Sequence, residues 1–262
     1  MAPDATGSSS TLLNRKTAVV TGAGDIGAVV VRELLRHGAT VEAWDRSETA
    51  LEGVGRLGHR DVTTESVDIT SEKALESATA RAADRMGGID ILVNTAAVLT
   101  FGTVSEMVPA VWRETVEVNL TGVFLCCRAV VGHMVDRGRG SIVNISSIAG
   151  LRGTPDLSHY SATKFGVIGF TQALAREVGP MGVRANCVCP GAIVSSMNRE
   201  TLSSSARRLG ASVDAAERQV VDRTPLRRQG DPEDVANAVV FLASDLSSFI
   251  TGETIAVTGG LN

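Results

Sequence analysis

Tyr160 and Lys164 are the residues whose types and spacing could most readily perform chemistry. They stand four positions apart, and Tyr160 is the only tyrosine in the 262-residue chain. The stretch reads as a helix start with Ser158 as its N-cap, so the phenol and the ammonium would lie one turn apart on one face. A nearby positive charge favours the phenolate, which makes a proton donor and acceptor usable near neutral pH.

Ser147 could act on the same atom of a substrate. It closes the apolar run that begins at Ser141, thirteen residues before Tyr160. A strand that ends in serine can direct its hydroxyl toward the substrate oxygen that Tyr160 would protonate or deprotonate.

The segment from Gly140 to Thr171 resembles the catalytic segment of the short-chain dehydrogenase/reductase family, whose Ser, Tyr and Lys match Ser147, Tyr160 and Lys164. The similarity extends from about residue 16 to residue 260. It implies a single-domain α/β fold, a doubly wound parallel sheet of the Rossmann type with helices on both faces. The alternation of strand and helix patterns along the chain predicts the same architecture independently.

A glycine turn follows the first predicted strand, which runs through Val19 and Val20. The turn reads Gly22-Ala23-Gly24-Asp25-Ile26-Gly27 and leads into an apolar-periodic helix. Strand, turn and helix start together predict a cradle for a pyrophosphate. The family turn is one residue longer, so Asp25 is a departure. Its carboxylate either weakens cofactor binding or caps its own helix.

Asp45 ends the second predicted strand, twenty-three residues after Gly22. A carboxylate there can accept hydrogen bonds from the adenosine ribose and would repel a 2′-phosphate, which favours NAD over NADP. Arg46 could instead recruit that phosphate, but the glycine turn supplies no further Lys or Arg. Asp68, followed by Ile69, matches the family's adenine-contacting acid, although it could also cap a helix that starts near Ser71.

Two asparagines carry further expectations from the resemblance. Asn94 and Ala96 lie in Asn-Thr-Ala-Ala, where the family has Asn-Asn-Ala-Gly, and Asn94 is expected to tie the central strands together. Asn119 lies inside a helix predicted over 109–136, where asparagine is unfavourable. The resemblance implies that Asn119 disturbs the helix and holds a water that relays protons to Lys164; otherwise it bonds a neighbouring helix.

The segment after the sixth predicted strand completes the expected cofactor site. Pro190, Gly191, Ile193 and Ser195 match the family's contacts to the nicotinamide end, with Ser195 where the family has threonine. Residues 196–223 read as a lid over the substrate. Candidate pocket walls are residues 97–101, residues 148–157 and the lid, within which Arg152 or His159 could hold an acidic substrate or simply be solvated.

Composition limits the partners. The net charge is −4 without a basic block, which argues against nucleic acid or an anionic membrane. Four cysteines lack zinc or redox spacing, so buried thiols and no metal site are expected. No apolar stretch approaches a membrane span, and no signal-peptide core follows Met1, so we expect a cytoplasmic enzyme. Residues 1–14 read as a flexible tail, with residues 15–262 as the domain.

The resemblance also implies a homo-oligomer, a dimer or tetramer, formed through the helix over 109–136 and a small-residue face at Gly166, Gly169 and Ala173. The predicted activity is interconversion of a secondary alcohol and a ketone with NAD. Three alternatives stay open: a 3-oxoacyl-carrier-protein reductase that uses NADPH and a basic docking surface such as Arg137 and Arg139, a non-catalytic dinucleotide-binding regulator, and a methyltransferase.

Overall fold

Within residues 11–261, seven parallel strands form one sheet in the order β3-β2-β1-β4-β5-β6-β7. The structure is a computed structural model that describes residues 11–261. The strands are β1 (Thr17–Thr21), β2 (Thr40–Asp45), β3 (Val62–Ser66), β4 (Ile91–Asn94), β5 (Gly140–Ile145), β6 (Val183–Pro190) and β7 (Thr254–Val257).

Helices cover both faces of the sheet. They are α1 (Asp25–Arg36), α2 (Glu48–Gly55), α3 (Glu72–Met86), α4 (Pro109–Val116), α5 (Gly122–Asp136), α6 (Ser158–Val178), α7 (Ser196–Leu209), α8 (Val213–Arg223) and α9 (Pro232–Ala243). Side chains of α1, α2 and α9 form the core on one face, and those of α3, α5 and α6 form the core on the other. The predicted doubly wound α/β fold of the Rossmann type is confirmed.

The central strands carry consecutive buried apolar residues because the sheet is covered on both faces. In β1, Ala18 and Val20 enter one core while Val19 enters the other, and all three are fully buried. In β4, Ile91 and Val93 likewise enter the first core, and Leu92 enters the second. The period of two along each strand thus divides each apolar run between two separate cores.

The order of connections reverses between β1 and β4, which are adjacent in the sheet. From β1 the chain first builds outward through β2 and β3, then crosses back to β4 and builds through β7 on the other side. In sheets of this kind, the loops at the carboxyl ends of the strands separate at the reversal and leave a crevice for a ligand.

The domain begins before residue 15. Leu13 is fully buried in the core, its N–H donates to the carbonyl of His37, and its own carbonyl accepts from Lys16. The prediction that the tail extends through residue 14 is therefore wrong, because Leu13 belongs to the folded domain. Residues 1–10 and 262 lie outside the described residues, so a tail over residues 1–10 stays a prediction.

The helical stretch Pro109–Asp136 is long and apolar enough to span a membrane by length and composition. The expectation that no apolar stretch approaches such a span is therefore wrong. In the fold, Val123, Cys126 and Val130 of this stretch pack in the core against the sheet. Its apolar character is thus used in part to cover one face of the sheet.

Candidate active site

The loop after β5 carries Ser147 against the side of α6. Ser147 precedes a short 3-10 turn, Ile148–Gly150, and its hydroxyl accepts from the N–H of Ala149 at 3.1 Å. A Cβ on Gly150 would lie 2.8 Å from the backbone of Lys164, so glycine permits the close approach of this turn to α6. Ser146 adds a second tie, because its hydroxyl donates to the Lys164 carbonyl at 2.8 Å.

Tyr160 and Lys164 lie one turn apart on the buried side of α6. The Lys164 Nζ is 5.5 Å from the centroid of the Tyr160 ring and donates to the carbonyl of Ile145 at 2.9 Å. The helix does not begin as predicted, because Leu157 rather than Ser158 occupies the N-cap position and makes no side-chain cap. The Ser158 hydroxyl is buried without a hydrogen-bond partner among the described residues.

Burial favours the neutral forms of both side chains. Desolvation raises the pKa of Tyr160 to about 12, although a hydrogen bond with Ser147 opposes the shift. Desolvation also lowers the pKa of Lys164 to about 8. The protein groups alone therefore keep the phenol protonated at neutral pH, and lowering its pKa requires additional positive charge beside it.

Asn119 lies in a π-helical turn, Glu117–Thr121, that separates α4 from α5. Its side chain is fully buried and pairs with the backbone of Val98 in both directions, accepting from the N–H at 2.8 Å and donating to the carbonyl at 2.9 Å. The alternative in which Asn119 bonds a neighbouring helix is therefore wrong. The side chain does not line the cleft but fixes Val98, which does.

The glycine turn between β1 and α1 has the geometry of a phosphate cradle. Gly22 has φ +84°, and a Cβ there would lie 2.6 Å from the N–H nitrogen of Ala96. A Cβ on Gly27 would lie 1.8 Å from the Gly22 carbonyl oxygen, so the turn packs directly on the helix. The N-cap residue of α1, Gly24, has no side-chain cap, which leaves the first helical amides available to an anion. These residues fit a dinucleotide diphosphate.

Asp25 does not cap its own helix. It is the first residue of α1, and its carboxylate accepts from both the N–H and the hydroxyl of Ser196, at 2.6 and 2.7 Å. The interpretation of Asp25 as a cap of α1 is therefore wrong. Its carboxylate instead joins the glycine turn to the first residue of α7.

Asp45 also supports the glycine turn. Its carboxylate accepts from the N–H of Ala23 at 2.7 Å and from the N–H of Ser47 at 2.8 Å. This bonding fixes the carboxylate beside the cradle, where ribose hydroxyls could reach it. The neighbouring Arg46 is exposed and lines the same end of the cleft.

Asp68 does not cap α3, because Ser71 does so by accepting from the N–H of Ala74. That alternative is wrong. The Asp68 carboxylate instead accepts from the N–H and hydroxyl of Thr70, and these bonds, with a smaller contribution from the charge of Arg46, lower the pKa of Asp68. Asp68 is therefore a charged acceptor at the cleft.

Asn94 at the end of β4 and Thr95 after it make different structural contacts. Asn94 accepts from Thr21 at 3.2 Å and donates to Asn144 at 2.8 Å, so it ties three adjacent strands as expected. The hydroxyl of Thr95 donates to the carbonyls of Thr21 and Gly22. Thr95 stands where the family has asparagine, and the sequence pattern does not reveal this hydrogen bonding to the glycine turn.

The cleft has a volume of about 580 Å³. The predicted site residues that line it are Gly22, Gly24, Asp25, Ile26, Gly27, Asp45, Arg46, Asp68, Ile69, Ala96, Ser147, Tyr160, Lys164, Pro190, Gly191, Ile193 and Ser195. Asn94 and Asn119 do not line it. The sequence analysis missed Thr70 and Leu261, and no local pattern marks Leu261 because it reaches the cleft only through the fold.

The helices α7 and α8 form one wall of the cleft. Ser195 caps α7 by accepting from the N–H of Asn198 at 3.1 Å, and Met197, Leu202 and Val220 face the cleft. Leu202 and Val220 also pack together in a small cluster separate from the two main cores. This wall coincides with the predicted lid.

The four cysteines are unpaired and buried. Desolvation raises the pKa of each thiol, so none has the character of a reactive thiolate. Among residues 11–261, no group of three His, Cys, Asp or Glu side chains is arranged to hold a metal ion.

Comparisons with known proteins cover nearly the whole chain. A family model described as "Enoyl-(Acyl carrier protein) reductase" matches residues 22–262. A 3-oxoacyl-(acyl-carrier-protein) reductase of Chlamydia muridarum is 34% identical over 96% of this chain and 99% of its own. A 3-alpha-(or 20-beta)-hydroxysteroid dehydrogenase of Mycobacterium bovis is 37% identical over 96% of this chain and 91% of its own.

The crystal structure of NAD⁺-bound xylitol dehydrogenase is similar over 95% of this chain and 99% of its own, with a TM-score of 0.89 and 29% identity. Fold, relatives and family model agree with one another. The chain belongs to the short-chain dehydrogenase/reductase family, the NAD(P)-dependent oxidoreductases that act on CH–OH or keto groups.

Proposed function

We propose that the protein interconverts a secondary alcohol and a ketone with NAD as its cofactor. The observation that carries the proposal is the convergence of Ser147, Tyr160 and Lys164 on the cleft that continues to the glycine turn. Family membership narrows the reaction to CH–OH or keto groups. Spectrophotometric detection of NADH during incubation with sugars, cyclic alcohols, steroids and hydroxyacyl thioesters tests the activity, and no turnover of any of these classes would contradict it.

In the proposed mechanism, Ser147 hydrogen-bonds the substrate oxygen and orients it toward Tyr160. Tyr160 takes the hydroxyl proton during oxidation and returns it during reduction. Lys164, held by the Ile145 carbonyl, adds positive charge near the phenol. NAD, when bound, supplies the hydride acceptor. Because burial raises the pKa of the Tyr160 phenol to about 12, lowering it to about 7 takes about 7 kcal/mol of differential stabilisation.

Asn119 has a positioning role in this proposal. Its amide holds Val98 in the cleft wall. Those bonds use one N–H and one oxygen lone pair of the Asn119 amide, so a water relay from Asn119 to Lys164 stays a prediction.

The preference for NAD rests on Asp45. Its fixed carboxylate would accept bonds from ribose hydroxyls and repel a 2′-phosphate. The similar xylitol dehydrogenase is NAD⁺-bound, which agrees with the proposal. We expect kcat/KM to be larger with NAD than with NADP. Asp45→Ala should reduce the ratio of these two kcat/KM values. Equal or better use of NADP by the unaltered protein would contradict it.

A 3-oxoacyl-carrier-protein reductase is the second candidate, because the Chlamydia relative has that activity in its name. The basic surface first considered for carrier docking does not support it. Arg137 and Arg139 both bond Asp90, which reduces their free positive charge. Faster reduction of an acetoacetyl-carrier-protein with NADPH than of free ketones with NADH would favour this candidate.

We also propose a homo-oligomer, a dimer or tetramer, in the cytoplasm. Trp112, Phe124 and Phe165 are each more than two-fifths exposed on α4, α5 and α6, the helices expected to meet a partner. A Cβ on Gly169 meets nothing within 4 Å, whereas one on Gly166 would contact Leu120 of the same chain. Sedimentation velocity of the protein and of Phe165→Glu tests this, and a monomer at micromolar concentration would contradict it.

A further inference from the structure

Both acidic and basic side chains line the cleft. The carboxylates Asp25, Asp45 and Asp68 all belong to the segments that follow the first three strands, and each already accepts hydrogen bonds from the protein. The basic side chains that line the cleft are Lys164, Arg46 beside Asp45, and two arginines on other elements, Arg152 and Arg223.

Arg152 is held close to the reacting groups. Its N–H donates to the Ile148 carbonyl at 3.1 Å, so the chain makes a tight turn within the five residues that follow Ser147. The side chain is half-buried in the wall of the cleft. Within the described part of the chain, the guanidinium has no ion-pair partner.

Arg223 reaches the cleft from a different element. It is the last residue of α8, and Val220, one turn earlier, lines the same cleft. The adjacent carboxylate of Asp222 pairs with Arg227 rather than with Arg223. Among residues 11–261, Arg223 likewise forms no ion pair.

Apolar side chains line the same cleft. They are Leu157, Met197, Leu202, Val220 and Leu261. A ligand in the cleft could therefore meet apolar side chains together with the two guanidinium groups. Guanidinium groups bind carboxylates and other oxyanions through paired N–H donors.

We propose that the substrate carries an anionic oxyacid group, which Arg152 and Arg223 bind, separated from the reacting carbon by a short apolar segment. The inference rests on the proposed function, because it assigns a substrate class to the same site. Hydroxy acids and the corresponding keto acids are therefore preferred over neutral alcohols and ketones of the same skeleton.

Matched pairs of substrates test the proposal. A panel of 3-, 4- and 5-hydroxy acids is compared with the methyl esters of the same acids, by kcat/KM with NAD⁺ and with NADP⁺. We expect at least tenfold preference for the acid in the best pair, the size of effect that a charge-assisted hydrogen bond gives. Arg152→Gln and Arg223→Gln should each raise KM for the acid about tenfold or more, and each should change KM for the ester little.

Arg218→Gln is the matched control, since Arg218 lies on the same helix as Arg223, is exposed and lines no part of the cleft. Arg218→Gln should leave KM and kcat/KM unchanged for both the acid and the ester. An ester used as well as its acid, or arginine variants that affect acid and ester equally, would overturn the anionic assignment while leaving the oxidoreductase function intact.

Lack of turnover of every acid and ester, by contrast, counts against the proposed function on these substrates. Calorimetric titration of the same acids and esters into the protein with NADH then decides the inference alone. Binding of an acid at least tenfold tighter than its ester, reduced in Arg152→Gln and Arg223→Gln but not in Arg218→Gln, supports it. Equal binding, or no binding of either, overturns it.

Discussion

The catalytic side chains and the cofactor cradle are held by different kinds of contact. Lys164 and Tyr160 are buried, and Lys164 is bonded to Ile145 and Ser146 within the scaffold. The cradle meets α7 through an exposed carboxylate, Asp25, bonded to Ser196. A buried group that loses its hydrogen-bond partner cannot bond water instead, so its bonds resist rearrangement. An exposed group can replace its partner with water at little cost. The comparison indicates a rigid side of the site around Lys164 and Tyr160, and a more exposed contact between the cradle and α7 at the proposed cofactor entrance.

The rigid side is tested most strongly at Ser147. Ser147→Ala should lower kcat by about 10² or more while leaving NADH binding nearly intact, because a hydrogen bond to the reacting oxygen is lost. Stopped-flow rates and NADH titration measure the two effects. Ser146→Ala is the control, since its hydroxyl donates to the Lys164 carbonyl; it should cost about 1 kcal/mol of stability and change kcat little. Activity of Ser147→Ala within a few-fold of the unaltered protein would make Ser147 structural.

Burial of Lys164 should appear in the pH dependence of stability. Its pKa in the folded protein is about 8, below its ordinary value of 10.5, so between these values the unfolded chain holds a proton that the folded chain has released. This group's contribution to the free energy of unfolding therefore rises with pH across that window, by about 3 kcal/mol in total.

Lys164→Met removes that contribution, and the difference between the two proteins isolates it. The buried cysteines have raised pKa values and act in the opposite direction, but they are present in both proteins. Urea unfolding from pH 7.5 to 10 should therefore show stability rising with pH relative to the variant. Parallel pH profiles would show that Lys164 is not desolvated.

The entrance is tested at Asp25, with a smaller effect. Asp25→Asn removes a negative charge beside the diphosphate cradle and weakens the bonds to Ser196, so NAD⁺ should bind roughly threefold to tenfold more tightly. Ser196→Ala is the matched variant, because it removes one bond but keeps the charge; it should change affinity less. Weaker binding of NAD⁺ by Asp25→Asn would contradict this account.

The parts of the molecule that sequence predicts well are those fixed by local patterns. Apolar runs such as Ala18–Val20 define buried strands, and the four-residue spacing of Tyr160 and Lys164 defines a helical face. The Asp25–Ser196 bond joins residues 171 positions apart, so no local pattern reveals it. The predicted cap at Ser158 is wrong because Leu157 occupies that position instead.

Asp68 and Leu13 illustrate the same limit at shorter range. Asp68 and Ser71 are both suitable caps, and only the backbone path shows that Ser71 caps α3. Leu13 lies in a stretch rich in small polar residues, where composition predicts a tail, yet a pocket of the core accommodates its side chain. Composition describes the average polarity of a segment and does not show whether a single leucine within it is buried.

The central claim is that Tyr160 transfers the proton, and its solitary phenol allows a direct test. Phenolate absorbance, taken as the difference between the protein and Tyr160→Phe, reports this one site. Without cofactor the pKa should be raised, to about 12. With NAD⁺ bound it should fall well below the ordinary value of about 10, and Lys164→Met should move it back up by a unit or more. A pKa at or above about 10 in the NAD⁺ complex would contradict the assignment.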